Sequence, residues 1–143
     1  MPNPHVRRRA RERALQFLFG LDFTRYAWDS ALDDFWTNNP SRVSVKEYAT
    51  KLIRGVSENR DALDEAIIGA LDRWSMDRVG AVERNVLRIA LFEMRHCGDV
   101  PEKVAINEAI EVARNYGADD APRFVNGVLD RLRKEVPSRQ ADS

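Results

Sequence analysis

The stretch from about Arg78 to Cys97 constrains the fold more than any other part of the chain. Val79, Val82, Val86, Leu87, Ile89, Ala90, Leu91 and Met94 cover most of the circumference of a helix there. A helix that is apolar on nearly every side has no face to give to water, so it belongs at the centre of a bundle. Asp77 is placed to cap its start and Gly98 to end it. The same helical period recurs on either side. Ala10, Ala14, Phe17, Leu18 and Leu21 share one face of a first helix, while Leu15 and Phe19 fall nearly opposite, beside Arg8 and Arg11. Trp28 to Trp36 reads as a short second helix with Leu32, Phe35 and Trp36 inward, closed by Asn38-Asn39-Pro40. Ser44 with Glu47 forms a capping-box pair that opens a third, carrying Tyr48, Leu52 and Val56. Leu63, Ala66, Ile67, Ala70 and Leu71 stripe a fourth, and the boundary near Asn59 leaves open a single bent helix instead. Asp99-Val100-Pro101-Glu102 starts a further helix that ends before Gly117, and Asp119-Asp120-Ala121-Pro122 starts the last. In the last helix Val125, Val128, Leu129, Leu132 and Val136 form the inner stripe. With no alternating strand pattern, the reading is all-α: about seven helices with short connections.

A chain of 143 residues has the size of one domain and can bury a core without staples. Residues 1–143 are expected to form that one domain, with 1–6 as a flexible arm and 137–143 as a flexible tail. The single cysteine, Cys97, rules out an intramolecular disulfide and fits a reducing cytoplasm. No segment has the run of about 20 apolar residues that spans a bilayer, nor the apolar stretch of a signal peptide. Phosphate loops, GxSxG turns and HExxH motifs are missing from the sequence. Asp33-Asp34 and Asp119-Asp120 read more simply as helix caps than as metal ligands. His5 lies in the arm, away from His96 and Cys97. The expectation is a protein without enzyme activity, metal or cofactor.

Charge is unevenly spread. Residues 1–13 hold five arginines and one glutamate, while the whole chain sums to zero. Guanidinium groups suit phosphate because their planar fork donates two parallel hydrogen bonds. The tract alone is equally compatible with a solvated tail. Glu58 to Asp77 holds six acids and two arginines, a solvated face or a docking patch for a basic protein. Arg123-Phe124 follows the Pro122 start, with Phe124 about 100° off the inner stripe. A half-exposed ring beside a cation is what stacking on an unpaired base requires, although packing under a neighbouring helix would explain it as well.

Four segments in register carry a resemblance: Arg7-Arg8-Arg9-Ala10-Arg11-Glu12, Val82 to Glu93, Val100 to Ile110, and Phe124-Val125-Asn126-Gly127-Val128-Leu129-Asp130. Together they resemble the NusB family of bacterial transcription antitermination factors. The resemblance implies two small helical bundles packed as one domain and no catalysis. It also implies binding of boxA, a short single-stranded element in ribosomal RNA leaders, together with NusE, a small-subunit ribosomal protein. Such complexes join RNA polymerase with other Nus factors and suppress premature termination. Carried over by position, Arg7, Arg8, Arg9, Arg11, Asp120, Arg123 and Phe124 would contact RNA, and Phe19 and Glu83 would face the protein partner. Phe19 stands where a tyrosine is common, Arg13 adds charge where some members carry a small residue, and Pro122 replaces a polar turn residue.

Two further readings stay open. The same fold forms the N-terminal domain of ribosomal RNA cytosine methyltransferases, and a stand-alone factor is expected here because no catalytic domain follows. A helical adaptor that binds only proteins is the other. The apolar-plus-arginine face around Leu15 and Phe19 would also suit a homodimer. RNA binding with about four phosphate contacts should be modest and salt-sensitive, each contact adding about 0.7 to the salt slope, and should tighten with a partner on the same strand.

Overall fold

The computed structural model describes residues 4–72 and 75–135. Among them are seven α-helices and no strand: α1 (Pro4–Leu21), α2 (Trp28–Asn38), α3 (Val43–Glu58), α4 (Arg60–Ala70), α5 (Ala81–His96), α6 (Glu102–Tyr116) and α7 (Ala121–Glu135). Helix α1 packs on α3 with α2 laid against both, while α5, α6 and α7 pack on one another. Helix α5 also touches α1, α3 and α4, so it joins the two groups, and one contiguous apolar core runs through both.

The central position of α5 follows from its sequence. All ten residues from Asn85 to Met94 are buried, which leaves the middle turns of the helix without a wet face. Helix α3 approaches it closely at Gly55, where a Cβ would stand 2.1 Å from Cζ of Phe92. Helix α2 is the opposite case. None of its residues is fully buried, and Leu32, Phe35 and Trp36 are only half-covered. It is held by its edge, with Phe35 in T-shaped contact with Phe17 at 5.3 Å between ring centroids.

Several sequence expectations shift at the helix ends. Of the flexible arm expected over 1–6, Pro4, His5 and Val6 instead form the first turn of α1, and residues 1–3 lie outside the described residues; Pro in a first turn loses no hydrogen bond that the helix needs. The expected tail 137–143 lies outside the described residues, as does Val136. Ser44 does not open α3. The chain turns helical at Val43 after extended Arg42, and no side chain caps the start. Asp77 does not cap α5 either. Met76–Arg78 forms a single 3-10 turn that delivers Val79 into the core, 5% exposed, and α5 begins only at Ala81. Helices α3 and α4 are separate, interrupted at Asn59, whose side-chain amide donates to the Gly55 carbonyl at 2.7 Å.

Gly117 ends α6 as expected, but not through a left-handed turn, since its φ is −98°. Space is the reason for glycine here. A Cβ would lie 2.6 Å from Oε2 of Glu83, 2.7 Å from the Ala121 methyl and 2.9 Å from the Ala113 carbonyl. No helix among the described residues is long and apolar enough to cross a membrane.

Candidate nucleic-acid interface

The arginine tract occupies the first three turns of α1, and a helix divides neighbouring residues among different surroundings. Arg11 points inward. Its Nε donates to Oε1 of Glu93 and its Nη2 to Oε2, both at 2.9 Å, and its Nη1 reaches Oε1 of Glu108 at 3.3 Å. The Tyr48 hydroxyl donates to the same Glu93 carboxylate. The Arg11 and Glu93 side chains are 5% and 1% exposed. Burial pulls the Arg11 pKa down, but the hydrogen bond and charge of Glu93 outweigh it and raise the net value. Burial, followed by the charge of Glu93, raises that of the Tyr48 hydroxyl. Arg11 therefore departs from its expected role as an RNA contact: its fork is spent on a buried carboxylate.

The other arginines remain nearer to water. Arg8 forks onto Glu108, with Nε at 3.0 Å and Nη2 at 2.7 Å, and is 47% exposed. Arg7 donates from Nη2 to Asp99 at 2.6 Å, with its guanidinium 4.4 Å from the centre of the Tyr48 ring. Arg9 pairs with Glu12 at 3.0 Å and is 46% exposed. These pairs hold the Glu108 and Asp99 carboxyls below their usual range, through the Arg8 and Arg7 hydrogen bonds respectively. The +4 excess of residues 1–13 is thus met in space by Glu93, Asp99 and Glu108, none of which is near in sequence. Arg8 and Arg9 present half-open guanidiniums on this surface.

At the other end of α6 stands the second element. Phe124 lies in the first turn of α7, half-buried against the core, with Arg123 and Asp120 exposed beside it. Glu83, expected to face a partner, is occupied within the chain. Its Oε2 accepts from the Ala118 amide at 3.3 Å, which fastens the α6–α7 connection to the start of α5. Glu83 thereby positions the connection that carries Asp120, Arg123 and Phe124. Helix α6 links the two elements: Arg8 and Arg11 reach Glu108 in its middle, and Phe124 follows its C-terminal end.

Phe19, expected to face a partner, is 39% exposed near the end of α1, whereas Leu15 is 2% exposed and packs inside. The apolar face expected around both residues therefore reduces to Phe19 and what surrounds it. Sequence reasoning missed its ring partner Phe23 and, further along the same connection, Tyr26, which are 69% and 72% exposed. The rings of Phe19 and Phe23 meet in a T-shape at 5.2 Å. The available signal was two aromatics in a short connection that has no helical period to bury them. Of the acidic stretch, Asp64 is tied to Arg88 at 2.7 Å and Asp72 to Arg131 at 2.7 Å, leaving Glu58, Asp61, Glu65 and Asp77 open to solvent. No group of three or more metal-ligating side chains comes together among the described residues.

Comparison with known proteins gives a consistent result. The model of the NusB family matches residues 8–134. Transcription antitermination protein NusB of Anaeromyxobacter dehalogenans (strain 2CP-1) is 47% identical over 132 residues, 92% of each chain. The protein of that name from Desulfosudis oleivorans is 43% identical over 140 residues, covering 95% of this chain and 90% of that one. Among solved structures, T. maritima NusB superposes with a TM-score of 0.86 at 38% identity, over 98% of this chain and 97% of that one. NusB in a crystal structure of antitermination factors NusB and NusE in complex with dsRNA gives a TM-score of 0.84 at 26% identity, over 94% and 100%. Fold and relatives first define a class, the all-helical transcription antitermination proteins. Within that class, the chain belongs to the NusB family.

Proposed function

We propose that the chain is a non-catalytic, cytoplasmic RNA-binding factor that holds boxA-type single-stranded RNA together with NusE. The complex joins RNA polymerase and other Nus factors and suppresses premature termination in ribosomal RNA leaders. The observation that carries this reading is the pairing of half-open Arg8 and Arg9 on α1 with half-buried Phe124 beside Arg123 on α7, linked by α6. Phosphate contacts set position, and base contacts specify. The arginines supply the first and stacking on Phe124 supplies a sequence-tolerant second. Asp120 beside them is a hydrogen-bond acceptor for a base edge or ribose hydroxyl. Arg7 braces the tract through Asp99 and Tyr48, and Arg11 anchors it from within. Phe19, extended by Phe23 and Tyr26, supplies an aromatic patch for the protein partner. The solved relative that holds NusE and dsRNA at once supports a joint role with NusE on RNA.

Affinity for a boxA-type RNA across a salt series, with and without NusE, tests the reading. Binding should be weak and salt-sensitive alone and tighter with NusE. Equal affinity in both cases contradicts it. Phe124→Ala should cost about 1–3 kcal/mol of RNA affinity, the usual worth of one stacked base, and a matched double-stranded RNA should bind less well.

A further inference from the structure

Folding redistributes the charge of the tract, and the redistribution marks a place that the RNA reading above touches only through Arg9. Toward α5 and α6 the arginines meet carboxylates: Arg7 with Asp99, Arg8 with Glu108, Arg11 with Glu93. Arg9 and Arg13 lie about half a helical turn away, at 100° per residue, and face the connection between α2 and α3. His5, Val6, Arg9 and Arg13 there oppose Pro40, Ser41, Arg42 and Val45 across a cleft of about 450 Å³.

No carboxylate lines this cleft among the described residues. Glu12 reaches Arg9 from its edge at 3.0 Å. Arg13 is held by three neutral acceptors: Oγ of Ser41 at 3.1 Å, Oε1 of Gln16 at 3.0 Å and Oδ1 of Asn39 at 3.1 Å. These fix the guanidinium without cancelling its charge. Burial and then the like charge of Arg9 lower the Arg13 pKa, as crowding among cations should. The Arg42 side chain is exposed and makes no hydrogen bond or ion pair among the described residues, while its carbonyl accepts from the Lys46 amide at 3.0 Å. The start of α3 beside it has no acid in its first turn, so the helix end adds the same sign.

Three arginines against one glutamate leave a local surplus that the paired flank of α1 lacks. The His5 imidazole is the one ring among the described residues that line the cleft, at its edge beside three arginines, so the cleft suits a backbone anion better than a stacked base. We propose that this cleft is a second phosphate site, taking a phosphodiester of the same RNA, with Arg13 as a pre-positioned donor and Arg42 and Arg9 closing on the anion. The proposal rests on the RNA reading above and adds that the strand crosses α1 toward the start of α3. It also gives Arg13 a use.

The test compares the unaltered chain with Arg42→Ala and with Arg133→Ala. The latter removes the same charge from the last turn of α7. A boxA-type single-stranded RNA is titrated across a salt series, and helix content and melting are recorded for each protein. Arg42→Ala should weaken binding about fivefold at 0.1 M salt and lower the salt slope by about 0.7, the loss of one single-strand phosphate contact. Its melting should not change, because the Arg42 side chain has no partner to lose among the described residues. Arg42→Lys should keep most of the slope, since an ammonium still pairs with phosphate as a point charge. Arg133→Ala should match the unaltered chain. If Arg42→Ala and Arg133→Ala behave alike while Arg8→Ala weakens RNA binding, the second site is overturned and the RNA reading stands. If the unaltered chain binds no RNA at low salt, with or without NusE, both are overturned.

Discussion

Arg8 and Arg11 stand three residues apart on α1, and both donate to Glu108, yet they do different work. Arg8 is about half exposed, and its pair can open to another anion at little cost. Arg11 is sealed beneath it, with its fork on Glu93 and the Tyr48 hydroxyl on the same carboxylate. The contrast arises from helical phase alone. One position looks along the surface of α6, and the other looks between α3 and α5. Two identical residues in one basic tract are therefore divided between an open position, proposed as an RNA contact, and a buried anchor.

The largest effect that can break this comparison is Arg11→Ala. It would leave Glu93 charged, buried and without its main partner, which costs about 3–5 kcal/mol. Chemical unfolding should show the loss, and Arg11→Lys should recover only part of it, because an ammonium cannot fork onto Glu93. An intermediate effect sharpens the contrast. Arg8→Ala should cost less than about 1 kcal/mol of stability, as exposed pairs do, while lowering the RNA salt slope by about 0.7. The smallest effect is acid-dependent. Glu108 and Asp99 titrate below their unfolded values, so their pairs stabilise the fold above roughly pH 4. That contribution is lost as pH falls through the lower folded values. In urea unfolding from pH 6 to 3, the gap between the unaltered chain and Arg8→Ala should therefore close on the acid side.

Much of the fold was legible in the sequence because burial imposes a period. The all-round apolar helix became α5, the stripe from Val125 to Leu132 became the inner face of α7, and Pro101 and Gly117 bracket α6. The helix starts were less legible. Ser44 and Asp77 carry cap chemistry, but Arg42 and Val79 decide where α3 and α5 begin, through an extended turn and a core anchor that local preference does not encode. Within the site, the tract and Phe124 were visible as residue types at helix starts. What local sequence could not show is that Glu93 lies 82 residues from Arg11 and neutralises it. For the same reason the free positive charge was expected along the whole tract, whereas it gathers beside Arg42.

The most direct test measures two quantities on two variants: unfolding free energy and RNA salt slope for Arg8→Ala and Arg11→Ala. The account predicts a crossed result. Arg8→Ala keeps its stability and loses slope, and Arg11→Ala loses several kcal/mol of stability, consistent with breaking a buried pair. If Arg11→Ala melts like the unaltered chain and differs from it only in RNA affinity, Arg11 is a contact after all, and the division between anchor and contact is wrong.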